Sequence, residues 1–238
     1  MSRLALFVFL LASLWAMGES VPVAEDAAVP PPQPIIWTAH NPGAVDFLTE
    51  RPSVSGRMVD AVVMAATGTK DPGSAWRTLV KPGDRVGIKV SAVGGTQFST
   101  HVGVVEAVLD GLERAGVERG KIIVWDRSSA DLKAAGFDPR KLRCQVRGID
   151  PPMGWDRAAT FQAPALGKLI WGDLLFAEKS GKKLGRTPTE ADLLSSTSHL
   201  AKILSKDVTR IVNVPVLSSE STIGVAGAFF NVTVPNVD

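Results

Sequence analysis

Lys89 lies in the run RVGIKV, Arg85 to Val90, where every following neighbour is apolar or glycine. An ammonium placed there must either snorkel to water along its stem or meet a counter-charge. Asp126 closes a second run of the same kind, KIIVWD, with Arg127 directly after it. A structural ion pair at the sheet edge and a catalytic or substrate-binding lysine are both open readings of that pair. Ser91 and the turn Gly94-Gly95-Thr96 follow the lysine. A third run, VTRIVNV, ends at Asn213-Val214 and enters a polar loop carrying Ser218, Ser219, Glu220, Ser221 and Thr222. In open parallel sheets, ligands bind outside the carboxyl ends of the strands. Lys89, Ser91, Asp126, Arg127, Asn213, Ser218 and Glu220 therefore form a candidate site, with Lys89 and Asp126 as the catalytic candidates and the others as substrate-binding ones.

His101, just after the glycine turn, is the best-placed acid-base candidate. His40, His101 and His199 share no ligand spacing, so no metal site is expected. The Gly94-Gly95 pair ahead of a helix could present amides to an anion, or simply permit a tight turn. Neither a Walker A sequence, nor a dinucleotide fingerprint, nor a G-x-S-x-G elbow occurs. No motif names a cofactor.

The elements that must position these groups read as a βαβ series. GRMVDAVVMAA predicts a helix over 56–66, and AWRTL a short helical turn. KPGDR is a turn feeding the first strand. In STHVGVVEAVLDGLERAG, the residues Val105, Val108, Leu109, Leu112 and Ala115 recur at three and four, with Glu106, Asp110, Glu113 and Arg114 on the wetter side. Ser99 or Thr100 is placed to cap that helix, and Gly116 to end it. KIIVWD, LRCQV and VTRIVNV supply further strands, while SADLKAAG and SHLAKILSK predict helices, the latter with Ser198 as its cap. The stretch from 147 to 190 gives no ordered pattern. The expected fold is α/β, a single domain with a mainly parallel sheet flanked by helices.

The chain opens with one positive charge, Arg3, then 14 uncharged, mostly apolar residues from Leu4 to Met17. That is the pattern of a secretory signal peptide, too short for a membrane span of about 20 residues. Residues 1–18 are read as that signal, and 19–34, with five prolines and three acids, as a disordered tether. The α/β domain then occupies 35–238, and the address is periplasmic or extracellular. Loss of the leader leaves 25 cationic against 24 anionic side chains, which gives no reason to expect nucleic acid. Cys144 is the one cysteine, expected to be buried, so no disulfide framework and no iron-sulfur cluster is expected.

PGDRVGIKVS, GVVEAVLDGLERAGV with IIVWDR, and TRIVNVPVLSSESTIGVAGAFFN together resemble the bacterial and archaeal family catalogued as domain of unknown function 362, over about residues 76–231. The match keeps Lys89, Asn213 to Leu217, Gly224, Val225 and Asn231, and so adds Asn231 to the substrate-binding candidates. It departs at Ser218, Ser219 and Glu220, where lysine, aspartate and histidine are usual. Ala226, Phe230 and Ser91 also stand where threonine, a second lysine and asparagine are common. Those exchanges point away from an anionic ligand at the loop and toward a sugar, a metal or a neutral molecule. Some members carry a ferredoxin-like segment, which has no cysteines to support it here. Members generally continue past the last motif, so the resemblance implies a chain lacking its final portion. Three functions follow as expectations: an exported enzyme of unstated reaction, an extracytoplasmic ligand-binding or scaffold protein, or a truncated fragment.

Overall fold

Runs of apolar residues long enough for a strand, with no polar alternation, suit strands covered on both faces. The two most continuous runs become the centre of the sheet. The computed structural model describes residues 35–150, 153–162, 197–220 and 224–238. The leader, the tether, most of the unpatterned stretch and Ser221 and Thr222 lie outside them. Of the unit Met1–Ile36, only Ile35 and Ile36 are described, both solvent-exposed; Trp37–Asp238 forms the second unit.

In chain order the second unit begins with strands β1 (Val45–Asp46) and β2 (Thr49–Glu50), which pair as a small hairpin. Helices α1 (Pro52–Thr67) and α2 (Pro72–Leu79) lead to strand β3 (Val86–Val90). A four-residue helix α3 (Gly95–Phe98) and the long α4 (Val102–Arg114) precede β4 (Ile122–Asp126). Helices α5 (Ser129–Ala134) and α6 (Pro139–Leu142) then lead to β5 (Gln145–Gly148). An antiparallel pair, β6 (Trp155–Gln162) and β7 (Thr197–Ala201), comes before β8 (Arg210–Val214). The hairpin β9 (Ser218–Glu220) and β10 (Gly224–Ala226) and helix α7 (Ala228–Val232) follow.

The main sheet has the order β5-β4-β3-β8 and every pairing in it is parallel. One face presents Val86, Ile88, Val90, Ile122 and Val124 to Val105, Leu109 and Leu112 of α4. The other face presents Ile123 and Trp125 to Trp155, Ala201 and Ile203. Gly87 is required on that second face because a Cβ would overlap the Trp125 ring of the adjoining strand. The acidic and basic residues of α4 face solvent, as its sequence pattern predicts. Gly116, at φ +93°, stops the helix by donating its N–H to Glu113.

Two expectations are corrected. LRCQV is not one strand: Leu142 ends α6, Arg143 turns through the left-handed region at φ +54°, and β5 starts only at Gln145. Asp138 and Pro139 start that helix, with Asp138 accepting from the Arg140 N–H. Cys144 is buried all the same, and burial pushes its thiol up to about 11. SHLAKILSK is not a helix capped by Ser198. Residues Thr197–Ala201 pair with β6, and only Ile203–Asp207 coils, as a π-helical turn. Strand pairing with a partner distant in sequence overrides the local helical spacing. Among the described residues, no helix is long and apolar enough to cross a membrane.

The π turn is pinned to β6 through Asp156, which accepts from Ser205 Oγ at 2.8 Å and Lys206 Nζ at 2.9 Å. Those bonds hold its carboxyl at about 2, below the ordinary 3.8. A depressed folded-state value contributes stability above the unfolded value that is lost as acid protonates the folded state. The advantage of the native chain over Asp156→Asn should stay level near neutral pH and shrink as pH falls from 3.8 through about 2, in urea unfolding followed across that range. Gly87→Ala should lower stability by about 1–3 kcal/mol through overpacking, read as a lower urea midpoint with an unchanged slope.

Candidate functional site

Lys89 has no solvent exposure, and its ammonium makes three hydrogen bonds. Nζ donates to Asp126 Oδ1 at 2.6 Å, to the Val90 carbonyl at 2.8 Å and to Asn231 Oδ1 at 3.0 Å. A protonated lysine has three N–H donors, so each is used. Asp126 is satisfied in turn. Its Oδ1 also accepts from the Arg127 N–H at 2.8 Å, and its Oδ2 from the Ala92 N–H at 2.7 Å. Asn231 donates to Asn213 Oδ1 at 2.8 Å, and Asn213 donates to the Ala228 carbonyl at 2.7 Å. Burial lowers the Lys89 pKa below the ordinary lysine value, with Asp126 opposing and Arg127 adding to the shift.

The topology explains the convergence. Lys89 is in register with Trp125 on one neighbour and Asn213 on the other, so all three share a face of the sheet. Helix α7 then returns Asn231 to the same place. Four candidates, Lys89, Asp126, Asn213 and Asn231, are therefore brought together. Arg127 turns aside: its Nη1 donates to the carbonyls of Pro235 at 3.1 Å and Val237 at 3.0 Å, and its guanidinium lies 5.1 Å from the Trp155 ring centre. Burial pushes it down to about 10, against Asp126 and Asp238, and it stays protonated at neutral pH.

The remaining candidates lie elsewhere. Ser218 and Glu220 belong to the β9–β10 hairpin, facing Ala226 and Gly224 in its ladder. Ser91 joins Thr100 by two bonds, its N–H to Thr100 Oγ1 at 3.0 Å and its carbonyl from the Thr100 N–H at 2.8 Å. Thr100 Oγ1 also donates to the Val214 carbonyl at 2.6 Å, so Thr100 clamps a loop to β8 and does not cap α4. Position N-cap of α4 falls to His101, without a side-chain capping bond. His199 meets Asp238, Nδ1 to Oδ2 at 2.9 Å. Among the described residues, no group of three or more His, Cys, Asp or Glu is arranged to hold a metal ion.

Sequence reasoning missed two groups. Asn236 accepts from Trp125 Nε1 at 3.0 Å and donates to the Asn231 carbonyl at 3.1 Å, buttressing the network from the final residues. Glu50 accepts the Gly103 N–H at 2.9 Å through Oε2, so the start of α4 already holds a carboxylate of the protein itself. No local signal links Glu50 to a helix 53 residues away.

Glu50 and His101 also line a cavity of about 440 Å³ between α1, α4 and β8, which is an edge strand among the described residues. Most of its wall is apolar: Val45, Met58, Val62, Val104, Val212 and others, with Asn213 shared between the cavity and the lysine network.

No protein-family model, curated protein or solved structure matches the chain.

Removing one member of a buried ion pair leaves the other charge uncompensated, a loss of about 3–5 kcal/mol. Lys89→Met should show that loss in urea unfolding at neutral pH. Combining it with Asp126→Asn should recover part of it, because no buried charge is then left uncompensated, although the single amide oxygen keeps only one of the Ala92 and Arg127 N–H bonds.

Proposed function

We propose that this chain is an extracytoplasmic protein that binds a small molecule with an apolar body, and that Lys89–Asp126 is a structural clasp. The observation that carries the reading is the cavity between α1, α4 and β8, whose volume of about 440 Å³ and mainly valine wall suit a small ligand. The clasp supports it from the other side. An ammonium with no exposure and three engaged donors has no proton or lone pair to offer a substrate without dismantling its own network. The charged run-in and apolar core of residues 1–18 support the location outside the cytoplasm.

We also propose kinship with the family catalogued as domain of unknown function 362. Three residues that keep its pattern, Lys89, Asn213 and Asn231, meet in one network, whereas the departures at Ser218 to Glu220 lie in a separate hairpin. In this reading, the polar loop no longer carries the site.

The full chain titrated with the neutral fluorophore N-phenyl-1-naphthylamine should show saturable enhancement at one site. Val62→Trp, which fills the cavity, should abolish the enhancement and keep a cooperative melt. Enhancement that never saturates, or that survives Val62→Trp unchanged, would remove the cavity as the binding site.

A further inference from the structure

The segment from Arg119 to Asp150 is rich in basic side chains, and the structure divides them by what they hold. Arg119 pairs with Asp110 and Glu113, Arg143 with Glu113, and Arg147 with Asp207. Lys121 meets Glu118, and Arg127 holds the carbonyls of Pro235 and Val237. Lys133, Arg140 and Lys141 differ. They are exposed, and among the described residues their side chains make no hydrogen bond or ion pair. All three line one cleft of about 730 Å³ formed by α5, α6 and β5.

The local fold gathers them. Gly136, at φ +91°, turns the chain after α5, and its N–H donates to the Lys133 carbonyl at 3.1 Å. Phe137 is buried and anchors the reversal, and Asp138 with Pro139 then starts α6, so that Arg140 and Lys141 follow at once. The one acidic residue of the lining, Asp138, accepts from the Arg140 N–H at 2.8 Å. Ser129, also in the lining, donates its hydroxyl to Asp150 at 2.5 Å and accepts from the Gly148 N–H at 2.9 Å. The lining side chains therefore carry three positive charges against one negative.

We infer that this cleft is a second binding site, for a small organic anion with two or more separated negative charges, a polycarboxylate or a phosphorylated compound. Like charges gathered around one space repel one another, and a multivalent anion replaces that repulsion with attraction. Arg140 offers a planar fork that matches a pair of carboxylate or phosphate oxygens, whereas Lys133 and Lys141 act as point charges. Because all three are exposed, each contact is screened, and the number of charges on the ligand governs the affinity. The volume of about 730 Å³ falls within the range of small-molecule sites. The cleft shares no lining residue with the apolar cavity, so the two sites stand or fall separately.

The test is titration calorimetry on the full chain at neutral pH and low salt, with acetate, inorganic phosphate, citrate and tripolyphosphate as probes. Citrate or tripolyphosphate should bind at one site, at least about tenfold tighter than acetate or phosphate, and should weaken as sodium chloride is added. Binding of citrate alone assigns the carboxylate class, and of tripolyphosphate alone the phosphate class. Arg140→Gln combined with Lys141→Gln should lower the affinity about tenfold or more. Arg57→Gln combined with Lys70→Gln removes the same charge from exposed positions outside the cleft and should leave the affinity within about twofold. No binding of any probe, no preference for the highly charged ones, or an equal loss in both double variants would overturn the inference. Should the Arg140 and Lys141 variant not fold, Lys133→Gln replaces it, and an affinity unchanged by that substitution overturns the inference equally.

Discussion

A lysine ammonium in the middle of a parallel sheet has to be neutralised and fully hydrogen-bonded, and much of this fold is arranged around that demand. Asp126 supplies the counter-charge from the next strand, at 2.6 Å. Two backbone N–H groups hold that carboxylate in place, and two asparagines complete the chain of bonds. Each contributor comes from a different part of the sequence. The network therefore forms only when β3, β4, β8 and α7 are all in position. Buried polar networks of this kind favour one arrangement over its near neighbours, since a register slip would leave a charge without a partner.

The same demand organises the end of the chain. Asn236 ties Trp125 to the Asn231 carbonyl, and Arg127 holds the carbonyls of Pro235 and Val237. The tryptophan that lies across Gly87 is thus fixed at its ring nitrogen, and Arg127 stacks on Trp155. Residues that a strand-end argument groups as one catalytic cluster divide by physics into a closed clasp and a C-terminal fastening.

Among the described residues β8 is an edge strand, and the cavity lies between it, α1 and α4. Asn213 belongs to both the cavity wall and the lysine network, so the apolar space and the polar clasp are adjacent parts of one edge. Glu50 occupies the α4 start that the glycine turn alone suggested for an external anion.

How much of this was legible beforehand differs element by element. The strands around Ile88 and Val124 and the helix around Leu109 follow from local pattern, because uninterrupted apolar runs and a three-and-four spacing each admit few structures. The α/β class and the pairing of Lys89 with Asp126 follow too, since a buried cation needs an anion and the two strand ends offered one. Residues 197–201 were not legible as a strand, because helical spacing was present locally and the deciding partner, β6, is remote. Nor was the delayed start of β5, which turns on Arg143 adopting a left-handed conformation. Glu50, Asn236 and the clamp made by Thr100 have no sequence signal at all, because a hydrogen bond between distant residues depends on distance in space. By itself, the sequence determined which residues must be inside and that one of them carried a charge. Tertiary structure alone decided which groups joined Asp126 around that charge, and that a cavity lay beside β8.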